Sequence, residues 1–375
     1  MAIFSINLSL ASIESNHFCI LQLTHNYPSE LDKTEGIFIH RINQLLVDQI
    51  DITIMLLKPN FSYPSIKQEY LIDGVKVKLV NYFRPRGRIF NSLDGVFMLS
   101  AERCFQRFIA NYDLIHSHWQ TDAGLLGTFL SLKHKMPHIV SVRGARIFTK
   151  RRKSIYGRIS SFVFDKSRLV HTHGKNIQTE LASKYKLTAS KVKWIPNPIL
   201  NFYQLTSLLE NSKNKAVKDK NFNFLFIGLD GKPKGLMDAV QACVTADTKN
   251  CKLIAVTDTS SYFYRFKVHP IINGEENIKV INKTSQDNIA KLFSDADVFL
   301  FPSYREGSPN VLIEAMAAGC YIISCKIPGV EGLITHNFNG RLVEKKDIKS
   351  LVNEINLFTS GRMNAEYRNY LEYNH

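Results

Sequence analysis

The chain has 375 residues, of which 45% are hydrophobic and 22% are charged, and its 48 Lys and Arg against 33 Asp and Glu give a formal net charge of +15. This composition is typical of a globular protein and excludes a disordered, collagen-like or coiled-coil chain. At roughly 150 residues per domain, the length predicts two domains with ordinary hydrophobic cores.

The amino-terminal segment, residues 1–15, does not have the pattern of a signal peptide. It is mildly apolar, but it lacks a basic start, is interrupted by Ser and Asn, and reaches Glu14. No apolar run in the sequence approaches the roughly 18 residues that span a bilayer. The six cysteines are scattered without the spacing of a zinc site, so we interpret them as reduced thiols. We therefore expect a cytoplasmic protein.

Short apolar segments alternate with longer helical patterns along the whole chain, which is typical of βαβ units and parallel sheets. The predicted strands are 18–23, 52–57, 75–80, 114–117, 138–142, 169–172, 192–195, 224–227, 252–256, 278–281, 298–301 and 321–325. Regular structure breaks at Pro196-Asn197-Pro198, and a polar stretch follows. We therefore predict an α/β protein with Rossmann-like domains over 1–198 and 199–375. These face each other across a central cleft, where the strand ends bind ligands.

The predicted amino-terminal domain is strongly basic. Residues 1–200 contain 27 basic and 14 acidic residues, a net charge of +13, whereas residues 201–375 carry +2. A basic surface attracts polyanions, and we predict that it docks on an anionic membrane, where each cation contributes on the order of 1 kcal/mol at low salt. The run Lys150-Arg151-Arg152-Lys153 also fits a nuclear localisation signal, but no nucleic-acid module accompanies it, so no nucleic-acid partner is expected.

A loop with glycines and lysines follows the predicted strand 224–227. It runs from Gly228 through Lys232 and Lys234 to Gly235, and a helix is predicted over 236–246. Glycines let a phosphate approach the backbone, and a lysine beside a helix amino terminus neutralises a diphosphate. We predict that this loop, with Gly228, Lys232 and Lys234, binds a diphosphate.

The segment 299–319 carries the strongest motif in the chain. A buried strand ends at Pro302, and a loop with Glu306 follows. The sequence predicts a helix with Ser308 as its N-cap and Pro309 as its first residue, which closes at Gly319. The free N–H groups of its first turn form an anion site. The residues of that site are Gly307, Ser308, Pro309 and Asn310.

Two glutamates eight residues apart lie in this segment. Glu314, on the second helical turn, is placed to accept hydrogen bonds from the two hydroxyls of a ribose, and Glu306 lies nearer the reacting carbon. The alternative is that both glutamates only complement the positive end of the helix. The complete strand, loop and helix motif favours the functional interpretation.

The segment from Glu306 to Glu314 resembles the E-x7-E signature of the family-four retaining glycosyltransferases of the GT-B fold. The resemblance extends over nearly the whole chain, with 26–28 and 36–38 similar to the first loop of that family, 112–119 to its acceptor-side strand, and 194–199 to its domain junction. It implies the transfer of a sugar from a nucleotide-diphosphate sugar to an acceptor with retention of anomeric configuration. It also implies that neither a metal nor another cofactor is needed.

The resemblance also implies roles for individual residues. The catalytic residues are Glu306, Lys234 and Arg143, the donor-binding residues add Gly228, Lys232, Gly307, Ser308, Pro309, Asn310 and Glu314, and the acceptor-side residues are Gly36 and His118. The leaving phosphate oxygen takes the acceptor proton, so no separate general base is required. His116 and His118 lack the acidic or cysteine partners of a metal site, which favours packing or acceptor contact.

The chain departs from the family pattern at two places. Leu229 stands where the family usually has an arginine, and Lys232 is the possible substitute. Arg143 and Arg146 stand where the family usually has a His-Gly pair and an acid. An arginine contacts phosphates or hydroxyls, but it does not carry protons near neutral pH.

We therefore predict a glycosyltransferase of the hexosyltransferase type that builds a bacterial capsule or lipopolysaccharide. Its partners are a nucleotide sugar, a lipid-linked or polysaccharide acceptor, and the anionic inner face of the plasma membrane. Two alternatives stay open. One is a catalytically silent GT-B protein that binds a nucleotide sugar, which Leu229, Arg143 and Arg146 favour. The other is a nucleotide-sugar epimerase of the same fold.

Overall fold

The computed structural model describes residues 18–30, 32–33, 35–60, 68–86, 93–143, 153–198, 222–229, 233–246, 251–307 and 309–360. The chain divides into two compact units. The first unit ends at Ile195, and the second begins at Pro196 and also includes His173–Glu180. The predicted boundary after Pro198 stays a prediction, because the residues that follow it, 199–221, lie outside the described ones.

The described part of the first unit contains a sheet of eight strands. They are β1 (Cys19–Thr24), β2 (Asp51–Pro59), β3 (Glu69–Ile72), β4 (Val75–Tyr82), β5 (Leu114–His118), β6 (His138–Val142), β7 (Leu169–Thr172) and β8 (Val192–Trp194). Their order is β3-β4-β2-β1-β5-β6-β7-β8. All neighbouring strands are parallel except β3 and β4, which are antiparallel. The strands predicted in this half are confirmed, with ends that differ by at most two residues.

Apolar side chains cover both faces of this sheet. Along β2, Ile54 belongs to a core cluster with Tyr27 and Ile39, whereas the next residue, Met55, belongs to a cluster with Phe105. Because successive side chains of a strand point to opposite faces, the two clusters lie on opposite sides of the sheet. The helices in this part of the chain are α1 (Ile37–Gln44), α2 (Asp94–Met98), α3 (Gly124–His134), α4 (Ile155–Lys166) and α5 (Lys175–Tyr185).

The second unit contains a parallel sheet of six strands in its described part. They are β9 (Phe222–Ile227), β10 (Cys251–Val256), β11 (Ile278–Ile281), β12 (Val298–Phe301), β13 (Tyr321–Cys325) and β14 (Gly340–Val343), in the order β11-β10-β9-β12-β13-β14. The helices are α6 (Leu236–Thr245), α7 (His269–Ile272), α8 (Gln286–Asp295), α9 (Asn310–Ala317), α10 (Pro328–Glu331) and α11 (Ile348–Thr359). Of the helices described in the two units, none is both long and apolar enough to cross a bilayer.

Two strands were not predicted from the sequence, and both lie at a sheet edge. β3 pairs only with β4, and β14 pairs only with β13. An edge strand needs one buried face at most, so its sequence lacks the continuous apolar run of a strand that is covered on both sides. β14 also contains Gly340 and Arg341, which weaken the pattern further.

The start of helix α9 differs from the prediction. Pro309 has φ −80° and ψ 100°, which is extended backbone, and its carbonyl accepts hydrogen bonds from Leu312 N at 3.1 Å and Ile313 N at 3.3 Å. Pro309 is therefore the N-cap, and Asn310 is the first helical residue. The prediction of Ser308 as N-cap was wrong by one position, and Ser308 itself lies outside the described residues. Gly319, with φ +73°, follows the helix as expected.

Candidate functional site

Lys234 and Glu306 form an ion pair in the second unit. Lys234 Nζ lies 2.6 Å from Glu306 Oε1, and the hydroxyl of Ser303 donates to the same oxygen at 2.9 Å. The Glu306 side chain is 11% exposed and that of Lys234 is 33% exposed. The structure thus brings together the two residues that the sequence placed on separate loops 72 positions apart.

Close backbone contact between the two loops explains why these residues meet. Gly235 has φ +78°, and a Cβ atom there would lie 2.1 Å from the carbonyl oxygen of Pro302. The N–H of Tyr304 donates to the carbonyl of Pro233 at 3.0 Å. Glycine at 235 is therefore required by both conformation and space. The loop after β9 and the loop after β12 form one packed layer.

Gly228 fixes the start of the first loop. Its N–H donates to the carbonyl of Val256 at 2.9 Å, and its own carbonyl accepts from Thr257 Oγ1 at 2.9 Å. A Cβ atom at position 228 would lie 2.8 Å from the Cβ of Lys234. The absence of a side chain at Gly228 therefore lets the backbone of Lys234 fold back over the end of β9.

A tyrosine and an aspartate join the Glu306 loop to helix α6. The hydroxyl of Tyr304 lies 2.8 Å and 2.9 Å from the two carboxylate oxygens of Asp238. Burial raises the pKa of Asp238, while the hydrogen bond from Tyr304 lowers it. The sequence alone does not predict this pair, because an aspartate in the first turn of a helix normally indicates only a favourable interaction with the helix dipole.

Glycines also surround the backbone of the Glu306 loop. A Cβ atom at Gly329 would lie 2.5 Å from the carbonyl oxygen of Glu306, and one at Gly174 would lie 2.8 Å from the carbonyl oxygen of Gly307. Larger residues at these two positions would displace the loop. The position of Glu306 is therefore determined from several sides.

The amino terminus of helix α9 follows this loop. Asn310 is its first residue, and Asn310 Oδ1 accepts a hydrogen bond from Asn197 Nδ2 at 2.7 Å. The first N–H groups of any α-helix have no acceptor within the helix and attract anions. Glu314 lies one turn further along and is half-buried. Its predicted role toward a ribose stays a prediction.

The residues predicted in the first unit also lie close together. Gly36 has φ +64° and precedes α1, and a Cβ atom there would lie 2.4 Å from the carbonyl oxygen of Asn26. Arg143 Nε donates to His118 Nδ1 at 3.1 Å, and the guanidinium carbon lies 4.7 Å from the centre of the Phe38 ring. Gly36 and Phe38 flank the start of α1, so α1, β5 and β6 together position this group.

His116, whose ring lies 4.4 Å from that of His118, is held by hydrogen bonds. His116 Nε2 lies 2.8 Å from Ser141 Oγ, which lies 2.8 Å from His171 Nδ1. Burial lowers the pKa of His116 well below its usual value and that of His171 to about 4. Within the described ranges, no group of three or more His, Cys, Asp or Glu residues could hold a metal ion. These contacts agree with the packing interpretation.

Several predicted residues lie outside the described ones, namely Lys232, Ser308 and Arg146, together with most of the basic run 150–153. Leu229 is described and is 41% exposed. Arg84, one of the basic residues of the first unit, has its Nε 2.8 Å from Asp94 Oδ1, and its side chain is 12% exposed. Arg84 is therefore largely neutralised and contributes little to an exposed basic surface.

Two family descriptions match the sequence. "Glycosyltransferase Family 4" matches residues 38–199, and "Glycosyl transferases group 1" matches residues 209–375. The chain belongs to glycosyltransferase family 4. It is similar to the capsular polysaccharide biosynthesis glycosyltransferase CapM of Staphylococcus aureus, with 27% identity over 255 residues. The aligned region covers 62% of this chain and 64% of CapM. Two uncharacterized glycosyltransferases of Methanocaldococcus jannaschii are matched over 64% and 65% of their length, so the chain spans just under two thirds of these relatives.

Solved structures show the same fold. Sucrose-phosphate synthase from Thermosynechococcus elongatus has a TM-score of 0.74 at 17% identity, with 96% of this chain and 93% of that chain covered. Anabaena HepE in complex with UDP and glucose has a TM-score of 0.69 at 18% identity, with 95% and 94% covered. The predicted fold class, an α/β protein of the GT-B type with two Rossmann-like domains, is confirmed for this family 4 member.

Proposed function

We propose that this protein transfers a sugar from a nucleotide-diphosphate sugar to a polysaccharide or lipid-linked acceptor, with retention of the anomeric configuration. The observation that carries the proposal is the Lys234–Glu306 ion pair, which lies in the same loop layer that leads into the amino terminus of α9. A lysine and a helix amino terminus provide positive charge for a diphosphate. The relatives named for glycosyl transfer in capsule synthesis support the same reaction class.

In the proposed reaction, the second unit must stabilise the negative charge of the departing nucleotide diphosphate. As the glycosidic bond to the diphosphate breaks, negative charge grows on the leaving phosphate. Once the diphosphate is bound, Lys234 and the first N–H groups of α9 are in place and stabilise this charge without further reorganisation. The leaving phosphate oxygen takes the acceptor proton, and no protein base is required.

The two glutamates have separate tasks in this proposal. Glu306 accepts hydrogen bonds from hydroxyls of the donor sugar, and Ser303 and Lys234 hold its carboxylate. Glu314 accepts from the ribose hydroxyls of the nucleotide. When a diphosphate arrives, Lys234 exchanges part of its interaction with Glu306 for the phosphate, which leaves the Glu306 carboxylate available to the sugar.

A panel of nucleotide sugars tests the proposal. Each donor is incubated with the protein with and without an undecaprenyl-diphosphate sugar acceptor, and released nucleotide is measured. Acceptor-dependent release from at least one donor is the expected result. Binding of a donor without release, under every acceptor condition, would contradict the transferase and support a silent relative.

The silent relative is favoured by Leu229, which is exposed and uncharged at the place where an arginine is usual, and by Arg143 at the place where a histidine is usual. The double variant Leu229→Arg with Arg143→His tests it. If this variant gained turnover that the wild type lacks, the wild type would be the silent relative. Because we propose an active enzyme, we expect no such gain.

The proposed location is the inner face of the plasma membrane. The net charge of +13 over residues 1–200 supports attraction to anionic lipid, and the enzyme would meet a lipid-linked acceptor there.

A further inference from the structure

A buried guanidinium in the first unit has hydrogen-bonding capacity that the fold does not use. Arg143 is 7% exposed and directly follows β6. Its Nε donates to His118, whereas its Nη2 is buried and has no hydrogen-bond partner among the described residues. A buried charged donor without an acceptor is costly, so a protein that retains one normally uses it.

The orientation of Arg143 is determined by a directional chain of hydrogen bonds. Because an arginine only donates, His118 Nδ1 is the acceptor, and His118 Nε2 carries the proton and lies 3.3 Å from Gln22 Oε1. Gln22 Nε2 in turn donates to Asn43 Oδ1 at 2.8 Å. All of these side chains are buried. The guanidinium is thus held at Nε, and Nη2 is left for another group.

The surroundings of Arg143 do not supply a negative charge. The Phe38 ring stacks on the guanidinium and stabilises its positive charge in part. The ring face does not accept hydrogen bonds from the N–H groups, which lie in the plane of the guanidinium. His116 and His171 are neutral, because burial and the charge of Arg143 lower their pKa values. No ion pair joins Arg143 to a carboxylate within the part of the chain that the structure describes. A hydroxyl would provide an acceptor for Nη2, but only an anion also balances the buried charge.

We propose that Arg143 binds an oxyanion, a carboxylate or a phosphate, on the substrate that the first unit holds. The planar fork of a guanidinium matches both groups. This inference rests on the proposed transferase function and narrows its substrate class to one that contains a charged sugar or a sugar phosphate. His118 is a positioning residue in this account, because it acts on the substrate through Arg143.

Matched ligand pairs test the inference on the full chain. Dissociation constants are measured by calorimetry for UDP-glucuronate against UDP-glucose, methyl glucuronide against methyl glucoside, and glucose 6-phosphate against glucose. The first pair tests a donor carboxylate, the second an acceptor carboxylate, and the third a phosphate. The proteins are the wild type, Arg143→Gln, Arg143→Lys and, as a control, Arg107→Gln, which alters an exposed arginine of the same unit.

We expect the wild type to bind at least one charged ligand 10-fold or more tightly than its neutral counterpart. Arg143→Gln should reduce that preference to less than 3-fold, Arg143→Lys should give an intermediate value, and Arg107→Gln should keep it. A thermal unfolding midpoint close to that of the wild type identifies variants that fold. If Arg143→Gln does not fold, Arg143→Lys and His118→Gln, which removes the Nδ1 acceptor, decide the question by the same preference.

The inference is overturned if the wild type has no such preference in any pair, or if the folded Arg143 variants keep the preference of the wild type undiminished. Failure of the proposed function gives a different result. In that case the Arg143-dependent preference is present, but no donor releases nucleotide. If a neutral donor and a neutral acceptor react while no charged ligand is preferred, the proposed transferase function is supported and the proposed oxyanion site is contradicted.

Discussion

Lys234 Nζ lies 2.6 Å from Glu306 Oε1, so each residue is the counter-ion of the other before any substrate arrives. The pair joins the loop before α6 to the loop after β12. Glu306 is the more buried partner, so the loss of Lys234 leaves its carboxylate poorly compensated. In the proposed mechanism, the diphosphate site and the sugar site are therefore coupled through this ion pair.

Lys234→Ala should lower turnover at least 100-fold, which corresponds to about 2.7 kcal/mol of transition-state stabilisation. The reason is that Leu229 provides no second cation for the leaving diphosphate. Steady-state kinetics with the best donor check this, and Lys252→Ala, an exposed lysine on β10, is the matched control. Leu229→Arg should be neutral or activating. An active wild type that is indifferent to Lys234→Ala would show that the diphosphate binds elsewhere.

The two glutamates should respond differently to truncation. Glu314→Ala should weaken binding of the free nucleotide by roughly 1.5 to 3 kcal/mol, because the proposed charged acceptor of the two ribose hydroxyls is lost. Glu306→Ala should not weaken free-nucleotide binding, because it leaves Lys234 free for the diphosphate, but it should depress turnover. Calorimetric titration with nucleotide diphosphate measures the first effect. Equal losses of nucleotide affinity in both variants would refute the division of tasks.

The Tyr304–Asp238 pair leads to a pH-dependent prediction. Tyr304→Phe removes the donor to a buried carboxylate and should lower the free energy of unfolding by about 1 to 3 kcal/mol at pH 7. Burial raises the pKa of Asp238 above its unfolded value, so this residue favours the folded state at acidic pH, and the benefit is lost as the pH rises through the folded pKa. Without Tyr304 that pKa rises further.

The difference in stability between wild type and Tyr304→Phe should therefore be larger at pH 7 than at pH 4.5. Urea denaturation at both pH values measures it, and Tyr262→Phe, an exposed tyrosine, is the control. A difference that is constant with pH would show that the hydrogen bond does not interact with a charged Asp238.

Turnover should survive a chelator, because Lys234 and the helix amino terminus are proposed to supply the charge that a metal would otherwise provide. Initial rates with and without excess EDTA check this. Loss of all activity that manganese restores would contradict the proposed mechanism.

Vesicle binding should depend strongly on salt and on lipid charge. With a net charge of +13 over residues 1–200, the protein should co-sediment with anionic vesicles at low salt and dissociate at a few hundred millimolar, since surface attraction is screened. Neutral vesicles serve as the control. Vesicle binding that depends on neither the salt concentration nor the lipid charge would contradict electrostatic docking.

The sequence predicted the central strands because their burial leaves a clear pattern. In β2, seven consecutive residues from Ile52 are buried, and all of them are apolar except Thr53 and Lys58. The edge strands β3 and β14 carry no such run. The helix start at Pro309 was misplaced because the preference of proline for the first helical position does not exclude the N-cap.

The candidate site was predictable where one motif contains it and less so where distant segments meet. Glu306 and Glu314 lie in one strand, loop and helix motif, whereas Arg143 and His118 are 25 positions apart. β5 and β6 are parallel neighbours, with His118 opposite Ser141, so residues just after their carboxyl ends come together. The predicted strands 114–117 and 138–142 therefore already indicated that His118 and Arg143 lie close together. The proton positions on His118 and the unused Nη2 of Arg143 depend on side-chain contacts, which periodicity does not report.

The configuration of the product linkage tests the central claim most directly. The protein is incubated with an α-linked nucleotide-diphosphate sugar and its acceptor, and the anomeric proton coupling of the newly formed linkage is measured by NMR. The account predicts that the wild type forms an α-linked product and that Lys234→Ala lowers the rate of its formation at least 100-fold. A β-linked product, or nucleotide release without any new glycosidic linkage, would contradict it.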